Sequence, residues 1–141
     1  MMTNRFFAVA ALAAGLLTAS AARAAETESF MGSFGVEHGA ASHPQGMVDV
    51  ALDTKTNVMT YSVSWSGLSG PVIAAHFHGP AAPGQDAAPI VPVTGPFTSP
   101  LKGKVQLTAE QAAALEAGKV YFNLHTDKLP KGEARAQLVK E

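Results

Sequence analysis

Residues 47–65 read MVDVALDTKTNVMTYSVSW, and this stretch decides the fold class. Apolar side chains alternate with small or polar ones through residues 47–52 and again through residues 58–65, with turn-forming residues at 53–57. A period of two places the alternate side chains on opposite faces of a strand. The stretch therefore predicts an antiparallel hairpin with one buried face and one solvated face.

Outward from this hairpin, glycine and proline interrupt the chain at short intervals, a pattern typical of many short strands. One helix is predicted after Thr108, its N-cap, and it ends at Gly118. About eight strands and one short helix predict an all-β fold, an antiparallel immunoglobulin-like or Greek-key β-sandwich or barrel. Besides the hairpin, the strands are predicted at residues 30–36, 72–78, 90–93, 101–107, 119–126 and 133–139.

The N-terminal residues 1–24 have the composition of a cleavable secretory signal peptide. Arg5 precedes an apolar run over residues 6–17, and Ala22-Arg23-Ala24 fits the small-x-small cleavage pattern. The run is shorter than the roughly 20 residues that a membrane-spanning helix needs, and no later segment qualifies. We expect cleavage near Ala24 and Ala25, a periplasmic or secreted location, and one domain over residues 25–141.

The net charge and the reactive residues of the chain argue against two classes of function, nucleic-acid binding and catalysis by a serine or cysteine nucleophile. Without residues 1–24 the chain has 8 basic and 11 acidic residues, a net charge of −3 with neutral histidine. The absence of a basic stripe argues against nucleic acid as a partner. The chain has no cysteine and no serine in a nucleophile elbow. No catalytic residue is predicted, so the sequence favours a non-enzyme.

Three of the predicted strands carry polar side chains opposite their apolar ones. Phe77 is the natural core residue of its strand, so His76 and His78 point to the other face. The same alternation applies to residues 120–125 and 133–138. We expect the polar side chains to converge where these strands are neighbours. They are His76, His78, Asn123, His125, Glu133 and Arg135.

At these residues the chain resembles the CHRD domain, a module named from chordin and also found in microbial secreted proteins. The resemblance covers residues 28–139 and implies an immunoglobulin-like β-sandwich or barrel in an extracellular module. It leaves the molecular activity unassigned. The segments that carry it are HFHGPA at 76–81, the leucine and glycine pattern of 107–118, YFNLHT at 121–126 and KGEARAQL at 131–138.

Two histidines two residues apart on one strand, with a third on another, can hold a transition metal, and imidazole suits copper and zinc. The candidate ligands are His76, His78 and His125, with His38 and His43 of an upstream loop as candidate additional ligands. The His76-x-His78 step is similar to the metal-binding strand of copper–zinc superoxide dismutase. The bridging histidine and second-metal carboxylate of that enzyme have no counterpart that we can place here.

A purely structural polar network is the alternative to a metal site. In that network Asn123 and Glu133 fix the histidine tautomers, and Arg135 pairs with Glu133. Three functions stay open at this point. The first is a non-catalytic binding or structural module whose partner is an unknown protein or small ligand. The second is a periplasmic copper- or zinc-binding protein, and the third is a metal-dependent redox enzyme analogous to the dismutase.

Overall fold

The computed structural model describes residues 26–141, so the predicted signal peptide lies outside the described residues. The helix α1 spans Ala109–Glu116. The strands are β1 (Thr27–Ser33), β2 (Gly35–Val36), β3 (Gln45–Asp53), β4 (Val58–Ser66), β5 (Val72–His78), β6 (Pro89–Pro92), β7 (Leu101–Gln106), β8 (Tyr121–Thr126), β9 (Ala134–Gln137) and β10 (Val139–Lys140).

The strands form two five-stranded antiparallel sheets, in the orders β10-β1-β3-β4-β7 and β2-β9-β8-β5-β6. The predicted hairpin is β3-β4 at the centre of the first sheet, with Asp53 paired to Val58 next to the turn. The sheets remain separate, so the predicted all-β fold is confirmed as a sandwich and not as a closed barrel.

Two predicted single strands each divide between the two sheets. The chain leaves the first sheet after β1, passes through the buried Phe34 and enters the second sheet as β2. In the opposite direction it leaves β9, passes through the buried Leu138 and returns to the first sheet as β10. A strand that crosses between sheets turns at the crossing residue. The side chains of Phe34 and Leu138 fill the sandwich interior at these corners.

The core lies between the sheets and takes the apolar residues that alternation assigns to it. Val48, Val50 and Leu52 of the hairpin are all buried. From the second sheet, Phe77 packs edge-on against Phe122 at a centroid distance of 4.8 Å and against Tyr61 of the first sheet at 5.1 Å. The edge-to-face contact between Phe77 and Tyr61 joins the two layers, whereas that between Phe77 and Phe122 lies within the second sheet.

The helix α1 closes one end of the sandwich. The Thr108 hydroxyl accepts a hydrogen bond from the Gln111 N–H at 3.2 Å, and the Gln111 side chain accepts one from the Thr108 N–H at 3.0 Å. This capping box confirms the predicted start of the helix. Ala112 and Leu115 are buried against the core. The described part of the chain contains no helix suited to crossing a membrane.

Replacing Phe77 by alanine is expected to lower the free energy of unfolding by about 3–5 kcal/mol, because a buried aromatic ring is lost and a cavity remains. Denaturant titration followed by circular dichroism measures this loss. Ile73→Ala is the matched control, because Ile73 lies on the same strand but is 50% exposed. The control should cost less than about 1 kcal/mol. Equal losses in the two variants would contradict this packing.

Candidate functional site

The outer face of the second sheet brings the predicted histidines together. Strands β5 and β8 are antiparallel neighbours, in which His76 pairs with Asn123, His78 with Tyr121 and Ala74 with His125. Because Phe77 and Phe122 point into the core, these polar side chains point away from it, as alternation predicts. Loops cover much of this face, and they leave His78 only 8% exposed.

The three histidines converge closely enough to share one ligand. One ring nitrogen from each of His76, His78 and His125 lies within 4.8 Å of the other two. His76 Nδ1 lies 3.1 Å from His125 Nε2, which is within hydrogen-bond distance. We call these three residues the histidine cluster. Its rings also pack edge-on, with 5.0 Å between the centroids of His76 and His125.

Backbone carbonyls fix the tautomers of two rings of the histidine cluster. His78 Nδ1 lies 2.9 Å from the Ala87 carbonyl oxygen, and His125 Nδ1 lies 2.9 Å from that of Pro130. A carbonyl oxygen only accepts, so each Nδ1 carries a proton and donates it. In the neutral ring the lone pair is then on Nε2. The polar-network alternative gives this orienting role to Asn123 and Glu133; at His78 and His125 the resolved partners of Nδ1 are backbone carbonyls.

Burial keeps two members of the histidine cluster neutral. Burial lowers the pKa of His76, and the neighbouring His125 and His78 lower it further. Burial also lowers the pKa of His78, and the hydrogen bond to Ala87 offsets this only in part. A protonated ring cannot coordinate a metal ion. The lowered pKa values therefore keep lone pairs available at and below neutral pH.

Tyr121 and Arg135 support His78 from the side. The rings of His78 and Tyr121 stack with 4.8 Å between centroids and an angle of 7°. The Arg135 guanidinium lies 3.6 Å above the centroid of the Tyr121 ring. Arg135 also donates to the carbonyls of Ala82 and Gln85, and it approaches Asp86 at 3.6 Å. Arg135 thus anchors the loop after β5 and does not pair with Glu133.

Glu133 is fully buried, whereas alternation predicted it to face outward. It immediately precedes β9, where the chain still turns, so its side chain is directed into the end of the sandwich. Its carboxylate accepts hydrogen bonds from the Ser69 N–H at 2.6 Å, the Ser69 hydroxyl at 2.8 Å and the Thr126 hydroxyl at 2.5 Å. Burial alone would raise the pKa of Glu133, but the Ser42 and Thr126 hydroxyls and the hydrogen bonds from Ser69 outweigh burial and lower it.

The two candidate additional ligands lie outside the histidine cluster. His38 groups with Glu37 and Asp86, whose ligand atoms also lie within 4.8 Å of one another. His43 is exposed and belongs to neither group. The Asn123 amide donates to the Glu37 carboxylate, so Asn123 borders both groups. The sequence reasoning missed Glu37 and Asp86. The adjacency of Glu37 and His38 was a signal for the first, but no local pattern indicates Asp86.

Glu133→Gln is expected to lower the free energy of unfolding at neutral pH, because hydrogen bonds to a charged acceptor are stronger than those to an amide. The folded-state pKa lies below the ordinary value of 4.5. The stabilisation is therefore complete above that value, and it is lost as the pH falls through the folded-state pKa. Denaturant titrations across this pH range should show the difference between wild type and variant shrinking towards acid.

Glu116→Gln, at an exposed helix position, is the matched control for that experiment. A difference between wild type and Glu133→Gln that stays constant towards acid would contradict this role of the carboxylate. So would a difference no larger than that of the control at neutral pH.

The family comparison covers nearly all of the sandwich. Residues 27–138 match the CHRD domain family, a range that includes every strand except β10 and every member of the histidine cluster. Searches of curated proteins and of solved structures found no match. Since the family match spans well over half of the 141 residues, the chain belongs to the CHRD domain family.

Proposed function

We propose that this protein is an exported, non-catalytic binding module whose ligand is a transition metal ion held by His76, His78 and His125. The observation that carries the proposal is the approach of one nitrogen from each ring to within 4.8 Å of the others. Family membership supports a CHRD module, and the metal site is the specific activity that we add to it.

The spacing of the nitrogens suits a shared ion. Two nitrogens that each lie about 2.0–2.1 Å from one metal are separated by about 2.9–3.4 Å, depending on the angle between the bonds. His76 Nδ1 lies 3.1 Å from His125 Nε2. Because His125 Nε2 accepts at this contact, His76 Nδ1 carries the proton, and binding of the ion requires that proton to move to His76 Nε2. His78 Nε2 is the lone-pair nitrogen of its ring, and it has no hydrogen-bond partner among the described residues. A shared ion would require His78 Nε2 to approach the other two nitrogens to within about 3.4 Å.

The donor atoms favour copper or zinc. All three are imidazole nitrogens, which suit both metals, and the chain has no thiolate to add. Divalent copper binds a given nitrogen site more tightly than zinc does, so we expect Cu(II) to bind more tightly than Zn(II). Carbonyl groups that hold the remote ring nitrogens, as Ala87 and Pro130 do here, are the usual outer shell of metal-bound histidine.

The proposal includes export through the segment 1–24, with its basic start, apolar run and small residues at 22–24. The protein would then bind the metal in the periplasm or outside the cell. A redox enzyme built on the bound metal remains a separate hypothesis. Its test is turnover by the metal-loaded protein, and a rate no higher than that of free metal would reject it.

Titration of the exported form with Cu(I), Cu(II) and Zn(II) tests the proposal, using protein without a histidine tag. We expect dissociation constants tighter than about 1 μM, measured by competition with a chelator of known affinity. Saturation at 100 times the dissociation constant should also add about 2.7 kcal/mol to the free energy of unfolding. His76→Ala and His125→Ala should each weaken binding at least about tenfold, as even the loss of an outer-shell partner does.

His43→Ala is the matched control, because His43 is exposed and outside the histidine cluster. It should leave the affinity unchanged. Binding weaker than about 1 μM in the wild-type protein would reject the metal site in favour of a structural polar network. An equal effect of the His43, His76 and His125 substitutions would do the same.

A further inference from the structure

A second group of polar side chains lines a pocket beside the histidine cluster. The pocket has a volume of about 190 Å³ and is lined by Glu37, His38, Asp86, Asn123 and the side chain of His78, among others. Ligand atoms of Glu37, His38 and Asp86 lie within 4.8 Å of one another. Glu37 is buried, whereas His38 and Asp86 are exposed, so the group is open to solvent on one side.

Two buried polar atoms in the wall of this pocket lack partners among the described residues. The Asn123 side-chain oxygen is one of them, in a residue that is only 2% exposed. The other is His78 Nε2, in a residue that is 8% exposed. A buried acceptor without a hydrogen bond costs free energy, so such atoms indicate a bound group that they contact. Both residues line the pocket. His78 Nε2 is already assigned to the histidine cluster, so the Asn123 oxygen is the atom that points to a ligand of the second group.

Glu37 places a carboxylate in the wall of the pocket, in a residue that is only 9% exposed. A buried carboxylate is stabilised when a cation pairs with it. Two cationic side chains lie near the same group. Arg135 is 3.6 Å from Asp86, and the exposed Lys131 also lines the pocket.

The backbone is arranged to bring Glu37 and Asn123 together. Gly132 lies between them with a φ of +122°, a conformation that side chains rarely adopt. A Cβ at this position would lie 2.5 Å from the Glu37 carboxylate oxygen and 2.6 Å from the Asn123 amide nitrogen. Glycine is therefore required both by the turn and by the close approach of the two side chains.

We propose that Glu37, His38 and Asp86, together with the side-chain oxygen of Asn123, form a second metal site that takes a divalent cation such as Zn²⁺ or Mn²⁺. Two carboxylates, one imidazole and one amide oxygen make a harder donor set than three imidazoles, and such a set suits these ions. The second site shares no ligand with the histidine cluster, although His78 lines the same pocket, so the test removes a ligand of the histidine cluster first.

The test uses the exported chain carrying His125→Ala, which removes one ligand of the histidine cluster and so reduces its competition for metal. We expect this chain to bind one ion per molecule in separate titrations with ZnCl₂ and with MnCl₂. Calorimetry follows the binding of Zn²⁺, and the loss of the electron paramagnetic resonance signal of free Mn²⁺ follows the binding of Mn²⁺. Adding Asp86→Asn should weaken both at least about tenfold, since the loss of even an outer-shell partner costs that much. The Asp86 side chain is 73% exposed, so its replacement should leave folding intact.

Asp49→Asn in the same background is the matched control, because Asp49 is exposed on β3 in the other sheet. His38→Gly is the second test variant. It removes the imidazole and keeps the backbone, since His38 has a φ of +50° that glycine adopts readily. Circular dichroism confirms the fold of each variant. The proposal is overturned if the His125→Ala chain binds neither ion, or if Asp86→Asn and His38→Gly bind as tightly as the control.

Discussion

The pairing of Phe77 with Phe122 across β5 and β8 is the contact on which the candidate site depends. The two residues are register partners, both are fully buried, and their rings meet edge-on inside the sandwich. Because side chains alternate along a strand, this pair directs His76 and His78 to the outer face of β5. It directs the side chain of Asn123 to the outer face of β8. Core packing thereby fixes the positions of the polar groups, although none of them takes part in it.

Backbone carbonyls of two loops orient the histidine rings that the strands place on the outer face. The segment between β5 and β6 supplies the Ala87 carbonyl to His78, and the turn between β8 and β9 supplies the Pro130 carbonyl to His125. Each segment is anchored by a charged side chain, one from within β9 and one from the residue just before it. Arg135 bonds to the carbonyls of the first segment, and Glu133 bonds to Thr126 at the start of the second. The orientation of the imidazoles therefore depends on charged anchors outside the histidine cluster.

Alternation in the sequence predicted the faces of β3, β4, β5 and β8, because a period of two is a local property that tertiary structure preserves. It failed at Glu133, where the chain has not yet entered β9 and the period does not apply. It also missed the division of strands at Phe34 and Leu138, since crossing between sheets depends on the packing of the whole sandwich. The grouping of Glu37 with Asp86 was inaccessible for a similar reason. The two residues are far apart in sequence, and only the folded loops bring them together.

Burial acts in opposite directions on the two groups of polar side chains. It lowers the pKa of His76 and His78 and raises that of Glu37, because it disfavours whichever form is charged. A neutral imidazole is already in its metal-binding form, so burial prepares the histidine cluster. A carboxyl group must be ionised to bind a cation, so burial opposes binding at Glu37 until a cation is present. The imidazole donors therefore favour a borderline ion such as copper or zinc at the histidine cluster, whereas the carboxylates and amide oxygen of the second group favour a harder ion.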